Sequence, residues 1–274
     1  MTRIKAWHGF AGIRLRILLG LMLCALPCAA NPATNSTDPD GQFPIFINGH
    51  SFASSERESA SYWDSSVLEI VEQKTGYSKT EFKFVDGCKG FLPSSRYNAG
   101  MTQGTADAEA IYAVMKSSAK DGVISEQLQI ISHSKGTAFA SGYMKSVSAA
   151  IVNLAKKDNM TFSYDSDKIV EYSVNIGPHQ SNFISFEDSG TVNVNISHYI
   201  DLFSGNDASG NVINIHSFTG GIDQHCNESY APDLNFVLPI LEAGGSKSDV
   251  KSKLINTYRQ WDKKHPNLSP TTIR

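Results

Sequence analysis

Short β-rich runs alternate with helical patterns along most of this 274-residue chain, and that alternation restricts the fold more than any other feature. The runs are Phe43–Asn48, Glu81–Asp86, Leu128–Ser132, Lys168–Ile176, Thr191–Phe203 and Asn211–Phe218. The helical patterns are Trp63–Lys74, Ala106–Lys120, Lys135–Lys157 and Asp249–Lys263. In the longest, Phe139, Tyr143, Val147, Ile151 and Leu154 recur at steps of four and three, one apolar stripe. Strands separated by helices are joined by crossovers, which make neighbouring strands parallel. The expected fold is α/β, a mainly parallel sheet with helices on both faces. With no internal repeat and no linker, residues 43–274 read as one domain.

The first thirty residues stand apart. Arg3, Lys5, Arg14 and Arg16 form a basic region without an acid, Ile17–Leu26 is an apolar run, and Pro27-Cys28-Ala29-Ala30 supplies small residues at a cleavage site. This is the shape of a bacterial-type secretory signal, so residues 1–30 are expected to be removed and the protein to be periplasmic or secreted. The apolar run is too short for a spanning helix, which needs about 20 apolar residues. No stable membrane span is expected after cleavage. Residues 31–42, mostly Asn, Pro, Thr, Ser, Asp and Gly, read as a disordered leader. Lys and Arg number 24 against 27 Asp and Glu, so nucleic acid is excluded as a partner by charge.

Removing residues 1–30 leaves Cys88 and Cys226 as the remaining cysteines. In an oxidising compartment they can form a disulfide. Gly87–Thr105 reads as a long loop over the carboxyl ends of the strands, and the bridge would tie it to the loop holding His225. Neither cysteine has zinc-site spacing, and no metal or cofactor is expected.

The strongest local signal is Ile130-Ile131-Ser132-His133-Ser134-Lys135-Gly136-Thr137-Ala138. An apolar strand runs through Ser-x-Ser-x-Gly directly into a long amphipathic helix, the setting of a nucleophile elbow. Small residues two before and two after the nucleophile, Ser132 and Gly136, let strand and helix pass closely. The helix N-terminus then presents a positive dipole to a developing oxyanion. Ser134 is the expected nucleophile. Asp207, in the Gly/Asn/Asp/Ser turn after the Thr191–Phe203 run, is the expected acid. His225, in the Gly-rich stretch after Asn211–Phe218, is the expected base. Asp201, inside the Thr191–Phe203 run, reads as a surface or structural residue, though a slip of the strand end would promote it. Asp223 stands too close to His225 in sequence to orient it. His216 and His133 read as structural, and His179 as pocket lining.

These residues resemble a secreted α/β-hydrolase of the lipase/esterase type. Ser132–Ala138 is similar to its Gly-His-Ser-x-Gly-Gly elbow, and Phe43-Pro-Ile-Phe-Ile-Asn-Gly-His resembles the strand and turn before its oxyanion loop. The likeness extends by order of elements over residues 43–230. It implies a Ser-His-Asp mechanism on a small-molecule or lipid ester through an acyl-enzyme. It also implies an oxyanion hole from the backbone N–H of Lys135 and one from His50 or Ser51.

Two other readings compete. Ser132-His133-Ser134-Lys135, Ser204-Gly205-Asn206 and Lys74-Thr75-Gly76 match the Ser-x-x-Lys, Ser-x-Asn and Lys-Thr-Gly motifs of penicillin-binding proteins and β-lactamases, with Ser132 as nucleophile. Their order is wrong, because Lys-Thr-Gly should follow the other two, and Gly76 reads as a helix stop. The third reading is a non-catalytic binding module on the same fold.

Overall fold

Alternation along the strands builds the centre of the molecule. The computed structural model describes residues 44–51, 53–187, 190–199, 201, 207–219 and 225–274. The expected signal, the polar leader, Asp223 and the Ser204-Gly205-Asn206 motif lie outside the described residues. The strands of the central sheet are β1 (Ile45–Asn48), β2 (Lys83–Asp86), β3 (Leu128–His133), β4 (Val170–Ile176), β5 (Val192–His198), β6 (Val212–Ser217) and β7 (Thr272–Ile273). Among the described residues they form one seven-stranded sheet in the order β2-β1-β3-β4-β5-β6-β7. Every neighbouring pair is parallel except β6 and β7.

Successive strand residues point to opposite faces, and both faces are buried. Ile45, Ile47, Leu128 and Ile130 pack in one core with α2 (Pro93–Ser118) and α3 (Gly136–Lys157). Phe46, Ile131, Val174, Val194 and Ile213 pack in the other with α1 (Ser65–Thr75), α4 (Ala231–Glu242) and α5 (Lys247–Lys264). The chain is thus α/β, a mostly parallel sheet flanked by helices.

The stretch expected to be a loop between Gly87 and Thr105 is mostly helix, because α2 begins at Pro93. Proline suits the first turn, where its missing N–H costs nothing, and Ser95 accepts the Leu92 N–H at 3.0 Å. Gly100 and Gly104, read as loop residues, instead let α2 meet α3 backbone to backbone. A Cβ on Gly100 would lie 2.0 Å from the Phe139 carbonyl oxygen, and one on Gly142 would lie 2.0 Å from that of Tyr97. Gly142→Val is therefore expected to cost at least the upper end of the roughly 1–3 kcal/mol typical of overpacking. Gly244→Ala, where a Cβ meets open space at φ 63°, should cost only backbone strain of about 1 kcal/mol. Denaturant melts of the two variants check the difference.

Helix α4 has no counterpart in the expected pattern; Pro232 sits in its opening turn. β5 also differs, ending at His198 rather than Phe203. That five-residue shortening leaves Asp201 just past the end of the strand.

Candidate active site

The turn after β3 holds Ser134 at φ 54°, the left-handed region that a non-glycine residue rarely adopts. Its surroundings fix it there. The Ser134 N–H donates to the Ile176 carbonyl of β4 at 3.0 Å, and its carbonyl accepts the N–H groups of His179 at 3.1 Å and Thr137 at 3.2 Å. Glycine is required where α3 crosses the end of β1, since a Cβ on Gly136 would meet the Asn48 carbonyl oxygen at 2.6 Å.

Ser134 Oγ lies 2.9 Å from His225 Nε2. His225 Nδ1 lies 2.7 Å from Asp201 Oδ2, and Asp201 is buried. A carboxylate only accepts, so Nδ1 carries the proton and Nε2 is the acceptor facing the serine hydroxyl. The Tyr230 hydroxyl also donates to Asp201 Oδ2, at 3.0 Å. Tyr230 is itself stacked on His198, ring centroids 4.0 Å apart, and His198 Nε2 pairs with the fully buried Asp233 at 2.9 Å. Asp233 collects further donors from Ser217, Thr219 and Tyr258. Such a satisfied buried network holds its members in one arrangement, and here it ends on the carboxylate behind His225.

Asp207 is not in this array, which corrects the expected acid. It accepts from His216 Nε2 at 2.7 Å and from Arg274 at 2.9 Å. With β5 ended at His198, the Asp201 N–H closes a turn onto the His198 carbonyl at 3.1 Å. The carboxylate at the carboxyl end of β5 is thus Asp201, and Asp207 lies further along, at the outer side of β6.

His133, read as structural, has a definite job. Its Nε2 lies 2.8 Å from the His225 backbone carbonyl and its Nδ1 2.5 Å from the Tyr62 hydroxyl. The carbonyl only accepts, so Nε2 donates; Nδ1 must then accept from Tyr62. The neutral ring therefore latches the backbone of His225 to the Tyr62 segment. Burial, reinforced by the neighbouring His225, pushes His133 down to about 3. A histidine whose folded pKa lies below its unfolded value contributes stability at neutral pH that is lost as pH falls through the unfolded value. On the linkage relation the loss is on the order of 1 kcal/mol per pH unit below about 6.5. His133→Gln should remove this part of the pH dependence, as read from denaturant midpoints between neutral and mildly acidic pH.

Ser132 is fully buried. Its Oγ donates to Asn175 Oδ1 at 2.6 Å, and a row of amides continues through Asn195 at 2.9 Å and Asn214 at 3.3 Å. These four residues stand opposite one another in register on β3, β4, β5 and β6. The Ser-x-x-Lys reading would need Ser132 to face a substrate, and it faces this row instead. Gly76 ends α1 at φ 79°, and Lys74 and Thr75 lie in its last turn.

The segment after β1 runs directly against Ser134. A Cβ on Gly49 would sit 2.7 Å from Ser134 Cβ and 2.8 Å from the Tyr62 hydroxyl. His50 and Ser51 follow at once. The Ser51 side chain is turned into its own loop, donating to Glu56 Oε2 at 2.6 Å. His50 Nδ1 lies 3.2 Å from Cys88 Sγ, and burial, then Lys135 and Arg57, lower its pKa. Lys135 is buried at the N-cap of α3.

The expected disulfide is corrected: Cys226 is not bonded to Cys88. Cys226 is exposed at the start of the turn leading to Tyr230. Among the described residues no helix is long and apolar enough to cross a membrane. Comparison with known proteins finds no family model that matches the chain and no curated protein that matches it.

Proposed function

We propose that this chain is a serine hydrolase of the α/β-hydrolase kind, cleaving a carboxylic ester through an acyl-enzyme. The observation that carries the reading is the consecutive pair of hydrogen bonds from Ser134 Oγ to His225 Nε2, 2.9 Å, and from His225 Nδ1 to Asp201, 2.7 Å, starting from a serine in a strained turn. Nucleophile, acid and base follow β3, β5 and β6 in the chain order Ser, Asp, His that α/β-hydrolases use.

In this reading His225 removes the hydroxyl proton as Ser134 Oγ attacks the acyl carbonyl. Asp201 keeps the imidazole in the required tautomer and stabilises its cationic form. The oxyanion is met by the backbone N–H of Lys135, at the positive end of α3, and by an N–H of the Gly49–Ser51 segment. His225 then protonates the leaving alcohol, and water attacks the acyl group by the same route in reverse. On the sequence reading of residues 1–30 as a secretory signal, the proposed activity belongs to the periplasm or the exterior of the cell.

Covalent labelling tests the proposal. A fluorophosphonate should add one phosphonyl group to Ser134, located by peptide mass spectrometry, and labelling should abolish cleavage of p-nitrophenyl esters. A protein that neither reacts with the probe nor cleaves any ester of the series would support the non-catalytic reading.

A further inference from the structure

A cavity of about 660 Å³ opens between the start of α2, the start of α3 and the segment after β4. Its lining includes Leu92, Pro93, Tyr97, Ala138, Phe183 and Ile184. Ala138 lies in the first turn of α3, which begins two residues after Ser134. Gln180, also on its wall, follows His179, whose N–H is bonded to the Ser134 carbonyl. The cavity is mostly apolar, and its rim carries side chains that a folded chain ordinarily hides: Phe183 is 71% exposed and Leu92 55%. Volume and lining suit a small-molecule site.

The two walls are joined by one residue. Arg96 of α2 is fully buried, and among the described residues no carboxylate pairs with it. One guanidinium nitrogen donates to the Phe91 carbonyl at 2.8 Å, beside Leu92, and another donates to Gln180 Oε1 at 2.8 Å. Gln180 is held at φ 57°, a left-handed conformation unusual for its type. The Arg96 Nε has no hydrogen-bond partner. Burying an uncompensated cation is costly, and burial lowers Arg96 to about 10. An apolar residue would fill the same space at lower cost. What only the forked guanidinium supplies is a fixed distance between the Phe91–Tyr97 wall and the Gln180–Ile184 wall.

We propose that this cavity receives the apolar acyl chain of the ester, and that Arg96 sets its width as a specificity-determining residue. The proposal rests on the hydrolase reading for the position of the scissile bond. It names the substrate class as esters of medium or long unbranched acyl chains rather than acetates. Each methylene that enters the cavity leaves water, so kcat/KM should rise by roughly fourfold per added methylene until the cavity is full.

The test is a series of p-nitrophenyl esters from acetate to laurate, with Phe183→Ser, Arg96→Met and the unaltered protein. Phe183 is exposed, so its replacement does not threaten the fold. The expected result is a steep rise with chain length in the unaltered protein. Phe183→Ser should raise KM by a factor that grows with chain length. Arg96→Met should broaden the optimum, admitting branched acyl groups. Binding of decanoate to Ser134→Ala, measured by calorimetry, separates the two proposals. Binding there that Phe183→Ser weakens supports the acyl site even if no fluorophosphonate adduct forms. A labelled, active Ser134 with rates independent of chain length, or decanoate binding unaffected by Phe183→Ser, overturns the acyl site and leaves the hydrolase reading standing.

Discussion

Ser134→Ala is expected to reduce ester cleavage to the level of residual binding effects, a loss on the order of 10⁶-fold in kcat by the scale of other serine nucleophiles. In the proposed mechanism the hydroxyl oxygen is the atom that forms the acyl bond. Ser132, two residues earlier, is fully buried and hydrogen-bonded to Asn175. Ser132→Ala should retain activity within about tenfold while lowering stability by roughly 1–3 kcal/mol, the usual cost of leaving a buried polar partner unsatisfied. The pair of variants, assayed for turnover and by denaturant melt, separates the elbow from the Ser-x-x-Lys reading. An inactive Ser132→Ala beside an active Ser134→Ala would reverse the assignment of nucleophile.

What made Ser134 legible is that an elbow is local. Strand, small residue, nucleophile, small residue and helix fall within nine consecutive positions, Ile130–Ala138, and the reason for each residue type is steric and visible in the sequence itself. The sheet was legible for a similar reason. The apolar runs of β1 and β3 are buried on both sides, and strands buried on both faces read as near-continuous apolar segments. Helix α2 was not legible in its first half, because Gly100 and Gly104 are poor helix formers taken alone. Their value lies in the contact with α3, which is tertiary. The latch of His133 on the His225 carbonyl likewise spans 92 residues, and nothing in a window around either residue marks it.

The acid shows the limit most sharply. Tyr199-Ile200-Asp201-Leu202-Phe203 continues the β-like alternation of the run before it, whereas Ser204–Gly210 has the composition of a turn. Local propensity therefore points to Asp207 as the strand-end carboxylate. The choice is made instead by partners distant in sequence. Tyr230 and His225 converge on Asp201, and Arg274, 67 residues from Asp207, claims Asp207 together with His216. Order along the chain places a carboxylate after the right strand, but which carboxylate faces the histidine is a property of the packed sheet.

Asp201→Asn is expected to lower kcat by about 10⁴-fold with KM nearly unchanged, following the effect of the same change in other Ser-His-Asp enzymes. The amide can present its NH2 to Nδ1, which stabilises the tautomer with the proton on Nε2 and removes the acceptor that Ser134 needs. Nor does it offset the positive charge of the imidazolium formed during attack. Tyr230→Phe, which removes one donor from Asp201, should cost far less, about tenfold, since Asp201 keeps its charge and its bond to His225. Asp207→Asn should leave turnover close to that of the unaltered protein, because its partners His216 and Arg274 lie outside the Ser134–His225–Asp201 array. Its cost should appear in stability, and only modestly, since Arg274 is largely exposed. Steady-state kinetics and melts of the three variants decide the matter. Loss of turnover in Asp207→Asn with retention in Asp201→Asn would mean that His225 is oriented by a different carboxylate during catalysis from the one it meets at 2.7 Å here.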